Sequence, residues 1–168
     1  MDCTYNQLNL NKDNYSFEMT ISLIYKRIDF SIDFESLTIM DGNFFSLFPR
    51  DILKEHYTLT HVKYTPIIKS LNFDKIKNYE LTHDKLISIK KNMLQDVLKY
   101  YPDFLEHFKY EDYFTSFKCK PISNNDERGV NIKVNKNIIS VNCGKITGIF
   151  EFEKYLKEYL DKCLINYE

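Results

Sequence analysis

The sequence has no Trp, only four Gly, four Pro and four Cys in 168 residues, and no surplus of charge: 23 Lys+Arg against 24 Asp+Glu leave a formal net charge of -1. Each shortage excludes something. Balanced charge provides no long-range field to recruit nucleic acid or an acidic membrane surface. Cys3, Cys119, Cys143 and Cys163 form no CxxC pair and no Cys/His set at zinc spacing. Gly42, Gly129, Gly144 and Gly148 do not fall at the G-x-G-x-x-G spacing that cradles a dinucleotide pyrophosphate. No apolar run approaches the ~20 residues of a membrane-spanning helix. Met1-Asp2-Cys3-Thr4 lacks the basic-then-apolar opening of a secretory signal. A reduced, cytoplasmic protein is the resulting expectation.

What remains is an ordinary globular composition, 43% hydrophobic and 28% charged, in which 13 Tyr and 13 Phe supply all the aromatics. Such rings suit half-buried sheet surfaces. Phe17–Leu23 alternates apolar and polar residues, the period of a strand. Leu37–Met40 and Phe44–Phe48 flank Asp41-Gly42, which tolerates the positive φ of a tight hairpin. Tyr57–Thr65 alternates again and stops at Pro66. The period then changes: Leu86, Ile89 (or Lys90), Met93, Val97 and Tyr101 recur at three and four. That spacing predicts a helix over 83–101, with Thr82 as N-cap and Pro102 as stop. Its charges, Lys85, Lys90, Lys91, Asp96 and Lys99, read as a solvated face. A short turn at Asp103–Phe108 and a strand over Tyr113–Lys120 follow. Val130–Val134 and Ile138–Val141 read as a second hairpin, leading through Asn142–Gly148 into a last helix that buries Phe152, Leu156, Tyr159 (or Leu160) and Cys163.

The predicted class is α+β, an antiparallel sheet with one long helix, followed by a C-terminal β-hairpin, turn and helix. The domain division predicted is 1–16, 17–120 and 121–168. The strand-to-helix turn Asn142-Cys143-Gly144-Lys145-Ile146-Thr147-Gly148 is the most informative segment. A helix N-terminus presents unpaired N–H groups to a phosphate or an electron-rich ring edge, although an ordinary capped turn has the same geometry.

Three stretches, taken in order, carry a family resemblance. They are Asp2–Asn6 at the start, Asp41–Pro49 with Tyr57–Val62, and Lys118-Cys119-Lys120-Pro121 through Asp126–Gly129 to Asn137–Thr147. Together they resemble the substrate-side and C-terminal parts of D-amino-acid-oxidase-like, FAD-dependent oxidoreductases. The resemblance implies oxidation of a small amine, amino acid or hydroxy acid by hydride transfer to FAD. It implies that Thr4, Cys143, Gly144, Lys145, Ile146 and Thr147 line the flavin, and that His61, Lys120, Arg128 and Tyr57 contact the substrate. The glycine fingerprint is missing, and the turn reads Cys-Gly-Lys where many relatives have two glycines. FAD binding is therefore expected to need an FAD-binding partner chain or a homo-oligomer, or the front half that a truncated reading frame leaves out, with no nucleic acid or membrane involved. The alternative is a non-catalytic binding or scaffold protein that keeps the fold without the cofactor. The individual residues keep bland alternatives too. His61 fits a half-exposed sheet position, Lys120 a solvated edge pair with Lys118, and Arg128 a local pair with Asp126 or Glu127.

Overall fold

The computed structural model describes residues 15–40, 42, 44–122, 130–135, 138–142 and 148–165. Two compact units are present, one over Ser16–Lys118 and one that takes in Cys119–Glu168.

The first unit is built on β1 (Tyr15–Arg27), β2 (Leu37–Thr38), β3 (Phe45–Asp51), β4 (His56–His61), β5 (Pro66–Ser70), α1 (Phe73–Lys77), α2 (His83–Tyr100), α3 (Phe104–His107) and β6 (Phe108–Pro121), with Tyr15 and the last three residues of β6 falling in the second unit. The sheet runs β2-β3-β4-β1-β5, and β6 also pairs with β1. β1 has thirteen residues because it serves three neighbours. Leu23–Lys26 pairs antiparallel with β4, Phe17–Thr20 pairs antiparallel with β5, and the Ile21 N–H donates to Thr65 O between them. At its end the Ile28 N–H donates to His107 O, and Thr20 meets Ser116. Partner numbers fall along β6 as they rise along β1, so this pair is antiparallel as well.

The hairpin read from Asp41-Gly42 is present: Leu37 pairs with Leu47 and Thr38 with Ser46, and Gly42 has φ +65°. The single strand expected over Tyr57–Thr65 is instead two. The Thr65 N–H donates to His61 O, and the Thr65 hydroxyl accepts from the His61 N–H at 2.8 Å, which closes a turn. Pro66 therefore opens β5 and does not terminate a strand. The first position of a strand tolerates a residue with no N–H to donate. α1, capped by the Asn72 side chain on the Asp74 N–H, has too few apolar residues to announce itself by period. β6 begins at Phe108, five residues before the predicted Tyr113.

One sheet face and α2 enclose the core. Ile21, Leu23, Tyr25, Phe45, Leu47, Tyr57 and Leu59 meet Ile89, Met93 and Val97 of α2, with Phe104 and Phe108 at one end. Burial pushes the Tyr25 phenol up to about 12, and the neighbouring Tyr110 adds to the rise. α2 starts where Thr82 caps it, its Oγ1 accepting from the Lys85 N–H at 3.4 Å. Thr82→Ala should lower the unfolding free energy by about 1 kcal/mol, read as an earlier urea midpoint with unchanged slope.

In the second unit β7 (Asn131–Asn135) pairs antiparallel with β8 (Ile138–Asn142), the hairpin expected from the sequence. α4 (Gly148–Ile165) half-buries Phe152, Leu156 and Tyr159 and leaves Leu160 exposed. The α+β class with an antiparallel sheet and a long helix is thus the observed one.

Candidate functional site

Two of the residues assigned to substrate from the sequence lie on β4, four apart, and strand alternation aims both at the core. His61 is 1% exposed, so the half-exposed position expected for it is wrong. Its Nδ1 accepts from the Lys63 N–H at 3.1 Å, which leaves the proton on Nε2 to be donated to Asp96 Oδ2 at 3.1 Å. Both ring nitrogens are engaged. Burial holds the imidazole below its usual pKa, against the upward pull of Asp96. The partner carboxylate also departs from expectation. Asp96 is 5% exposed and belongs to the buried stripe of α2, where the sequence reads as a solvated face. The other oxygen of Asp96 accepts from Lys99 Nζ, and that bond is the main cause of its lowered pKa. A stripe read by apolarity alone passes over an acid at an inward position. The signal available was its spacing, three after Met93 and one before Val97.

Tyr57 is also buried, with its phenol donating to Phe34 O at 3.1 Å. Lys120 is exposed near the end of β6 and falls within the second unit. Arg128, Thr4 and the turn Cys143, Gly144, Lys145, Ile146 and Thr147 lie outside the described residues. The structure therefore brings Tyr57 and His61 onto one strand face.

The opposite face of the sheet is chemically different. Alternation places Ser46 and Phe48 of β3, Thr58 and Thr60 of β4 and Ile24 of β1 there, paired as Ser46 with Thr60, Phe48 with Thr58 and Thr58 with Ile24. Thr38 extends the hydroxyl row, its Oγ1 bonding Ser46 Oγ at 3.3 Å. Beside this row the register of β3 against β4 slips between Pro49 and Asp51, making Arg50 the extra residue of a bulge. Its guanidinium lies 4.1 Å from the centroid of the Phe114 ring. Arg50 is exposed and makes no ion pair among the described residues. Stacking on a ring holds the planar cation while leaving its N–H fork free for an anion. Sequence reading missed Arg50, because a bulge gives no periodic signal. His56 Nε2 and Glu111 form a further pair across the same sheet. Among the described residues no group of three or more His, Cys, Asp or Glu is placed to hold a metal ion, and no helix is long and apolar enough to cross a membrane.

The site residues therefore divide into an inward pair, locked into the core, and an outward face of hydroxyls with an arginine at its margin. The chain is 27% identical over 150 residues to a protein of Fusarium mangiferae named FAD-dependent monooxygenase FPY4. The matched stretch is 86% of this chain, and the chain spans 39% of that protein's length. No protein-family model and no solved structure matches the chain.

Proposed function

We propose that this chain forms the substrate-side part of an FAD-dependent oxidoreductase. The observation that supports it most is the 150-residue similarity to an FAD-dependent monooxygenase, in agreement with the flavoprotein resemblance of the sequence. The outward sheet face fits the role. It offers Ser46, Thr58 and Thr60 hydroxyls as orienting groups and Arg50 as an anchor for an anionic substrate.

The described residues fit a substrate wall and not a pyrophosphate grip. Gly42 sits in a hairpin turn, and Gly148 is the first residue of α4. In this proposal Thr4 and Cys143 to Thr147 meet the flavin edge, and the nucleotide grip comes from polypeptide outside these 168 residues. The 39% span of the relative supports that division. FAD, when bound, supplies the redox chemistry itself. The protein's tasks are then to hold the substrate, orient it and exclude water.

Two reactions fall within the proposal. The name of the relative favours monooxygenation. The D-amino-acid-oxidase-like resemblance favours oxidation of a small amine, amino acid or hydroxy acid by hydride transfer. Co-purification with the product of the neighbouring gene should bring a visible flavin band near roughly 450 nm, the cofactor carrying its own chromophore. Incorporation of oxygen into the product then marks the first reaction, and an imino or oxo product without it marks the second. If no flavin band appears with or without the neighbour, the enzymatic reading is lost and the scaffold alternative stands. Given the flavin-loaded protein, Arg50→Ala should raise the KM for an anionic substrate by about tenfold, the worth of a charge-assisted contact, with kcat little changed.

A further inference from the structure

We propose that the aromatic cage around Phe34 is a binding site for planar aromatic carboxylates, occupied in this structure by the protein's own residues 28–34. The site lies on the core side of the sheet, and its ligand class does not depend on the flavin reading.

The segment 28–34 follows β1 and has no helix or strand of its own. The Phe34 ring stands 5.5 Å from the Tyr57 ring and 5.1 Å from the Phe108 ring, both edge-on, and 6.0 Å from Tyr101 in a stacked arrangement. Three aromatic walls thus hold a fourth ring, which is only half-buried and reaches the surface. The Phe34 carbonyl oxygen completes the mimicry. It accepts from Tyr57 Oη at 3.1 Å and from Arg27 Nη1 at 3.4 Å. Arg27 also donates from Nε to the Asp29 carbonyl and from Nη2 to the Ile32 carbonyl. A guanidinium that holds only neutral carbonyls would gain from exchanging one for a carboxylate, since charge-assisted bonds are about twice as strong as neutral ones. The Phe34 side chain and carbonyl therefore stand in for a ring bearing a carboxylate.

The fastening of the segment is polar and close to the surface. Asp29 Oδ2 accepts from His107 Nε2 at 3.2 Å, and His107 Nδ1 accepts from Tyr101 Oη at 2.7 Å. The Ile28 N–H donates to His107 O at 2.8 Å, and Ser31 bonds the Asp29 carboxylate. Asp29 is partly exposed, so water can replace this latch when it opens. Opening exposes a Tyr hydroxyl and an Arg that both lack an acceptor, and the ligand supplies one. Affinity then equals the intrinsic affinity reduced by the open fraction, so weakening the latch must tighten binding.

The test uses the full chain, with 2-naphthoate as probe and cyclohexanecarboxylate as the non-aromatic control, read by calorimetry and by amide exchange of 28–34. The expected result is that 2-naphthoate binds, the control does not, and exchange of 28–34 accelerates on binding. Asp29→Asn should bind 2-naphthoate several-fold more tightly, and Tyr57→Phe several-fold more weakly, because its hydroxyl exchanges the neutral Phe34 carbonyl for a charged acceptor on binding. Phe34→Ala, which empties the ring position but keeps the carbonyl, should bind more tightly than wild type, with exchange of 28–34 still accelerated on binding. Should that variant fail to fold, the Asp29 and Tyr57 variants decide alone. The proposal is overturned if wild type does not bind 2-naphthoate. It is equally overturned if binding occurs but is indifferent to both Asp29→Asn and Tyr57→Phe.

Discussion

Asp96→Ala is expected to lower the unfolding free energy by about 3 kcal/mol, because the substitution leaves the buried His61 Nε2–H without an acceptor and removes two bonds to a carboxylate. Lys99, the exposed partner, returns to water at little cost. Asp96→Asn keeps both the volume and an acceptor oxygen for the His61 Nε2–H and should lose less. The pair also fixes an acid limit. Burial lowers the pKa of His61 from 6.5, so the unfolded chain takes up that proton first as pH falls. Stability contributed by the neutral ring is therefore complete above pH 6.5 and is lost as pH falls from there through the folded value. Asp96, lowered from 3.8 chiefly by Lys99, extends the loss at lower pH in the same direction. Urea titrations between neutral and mildly acid pH should show the decline in wild type and a flatter profile in His61→Gln. A wild-type stability that rises on acidification across this range would contradict the lowered pKa of the buried imidazole.

Much of the architecture can be read from periodicity, since side-chain alternation and helical spacing are local. Phe17–Leu23 marks β1, Asp41-Gly42 marks the β2–β3 turn, and Thr82 with Met93 and Val97 marks α2. Features governed by partners far along the chain do not leave such a trace. β1 continues to Arg27 only because Leu59 to His56 lie alongside it. The run Tyr57–Thr65 breaks because a threonine hydroxyl turns back onto His61. Asp96 reads as a surface acid until β4 sets His61 above it. The same limit applies to the site. Tyr57 is one of thirteen tyrosines in sequence, and its distinction is a hydrogen bond to Phe34, twenty-three residues away. Arg50 is distinguished by a bulge and by a ring from β6. Residue type pointed to chemistry, and pairing decided which face that chemistry occupies.

Phe108→Ala should have a still larger effect, about 3–5 kcal/mol, the range for removing a buried aromatic ring from a core that cannot close around the gap. Phe108 is 1% exposed and lies at a junction. Its ring is 5.1 Å from Phe104 in a stacked pair, 5.2 Å from Tyr57 edge-on and 5.1 Å from Phe34. It stands at the residue where α3 gives way to β6, so the chain on either side is held by the sheet and by α2 and has little room to follow the truncation. Phe48→Ala provides the contrast within the same sheet. That ring is 48% exposed on the opposite face, and its removal should cost under about 1 kcal/mol because much of its surface is already hydrated. Urea unfolding of the two variants measures the difference directly, with the slope checked for two-state behaviour. Similar costs for the two would mean that the aromatic cluster of Phe34, Tyr57, Tyr101, Phe104 and Phe108 contributes no more than a surface ring does. The cage proposed for Phe34 would then lose the rigid walls on which it depends.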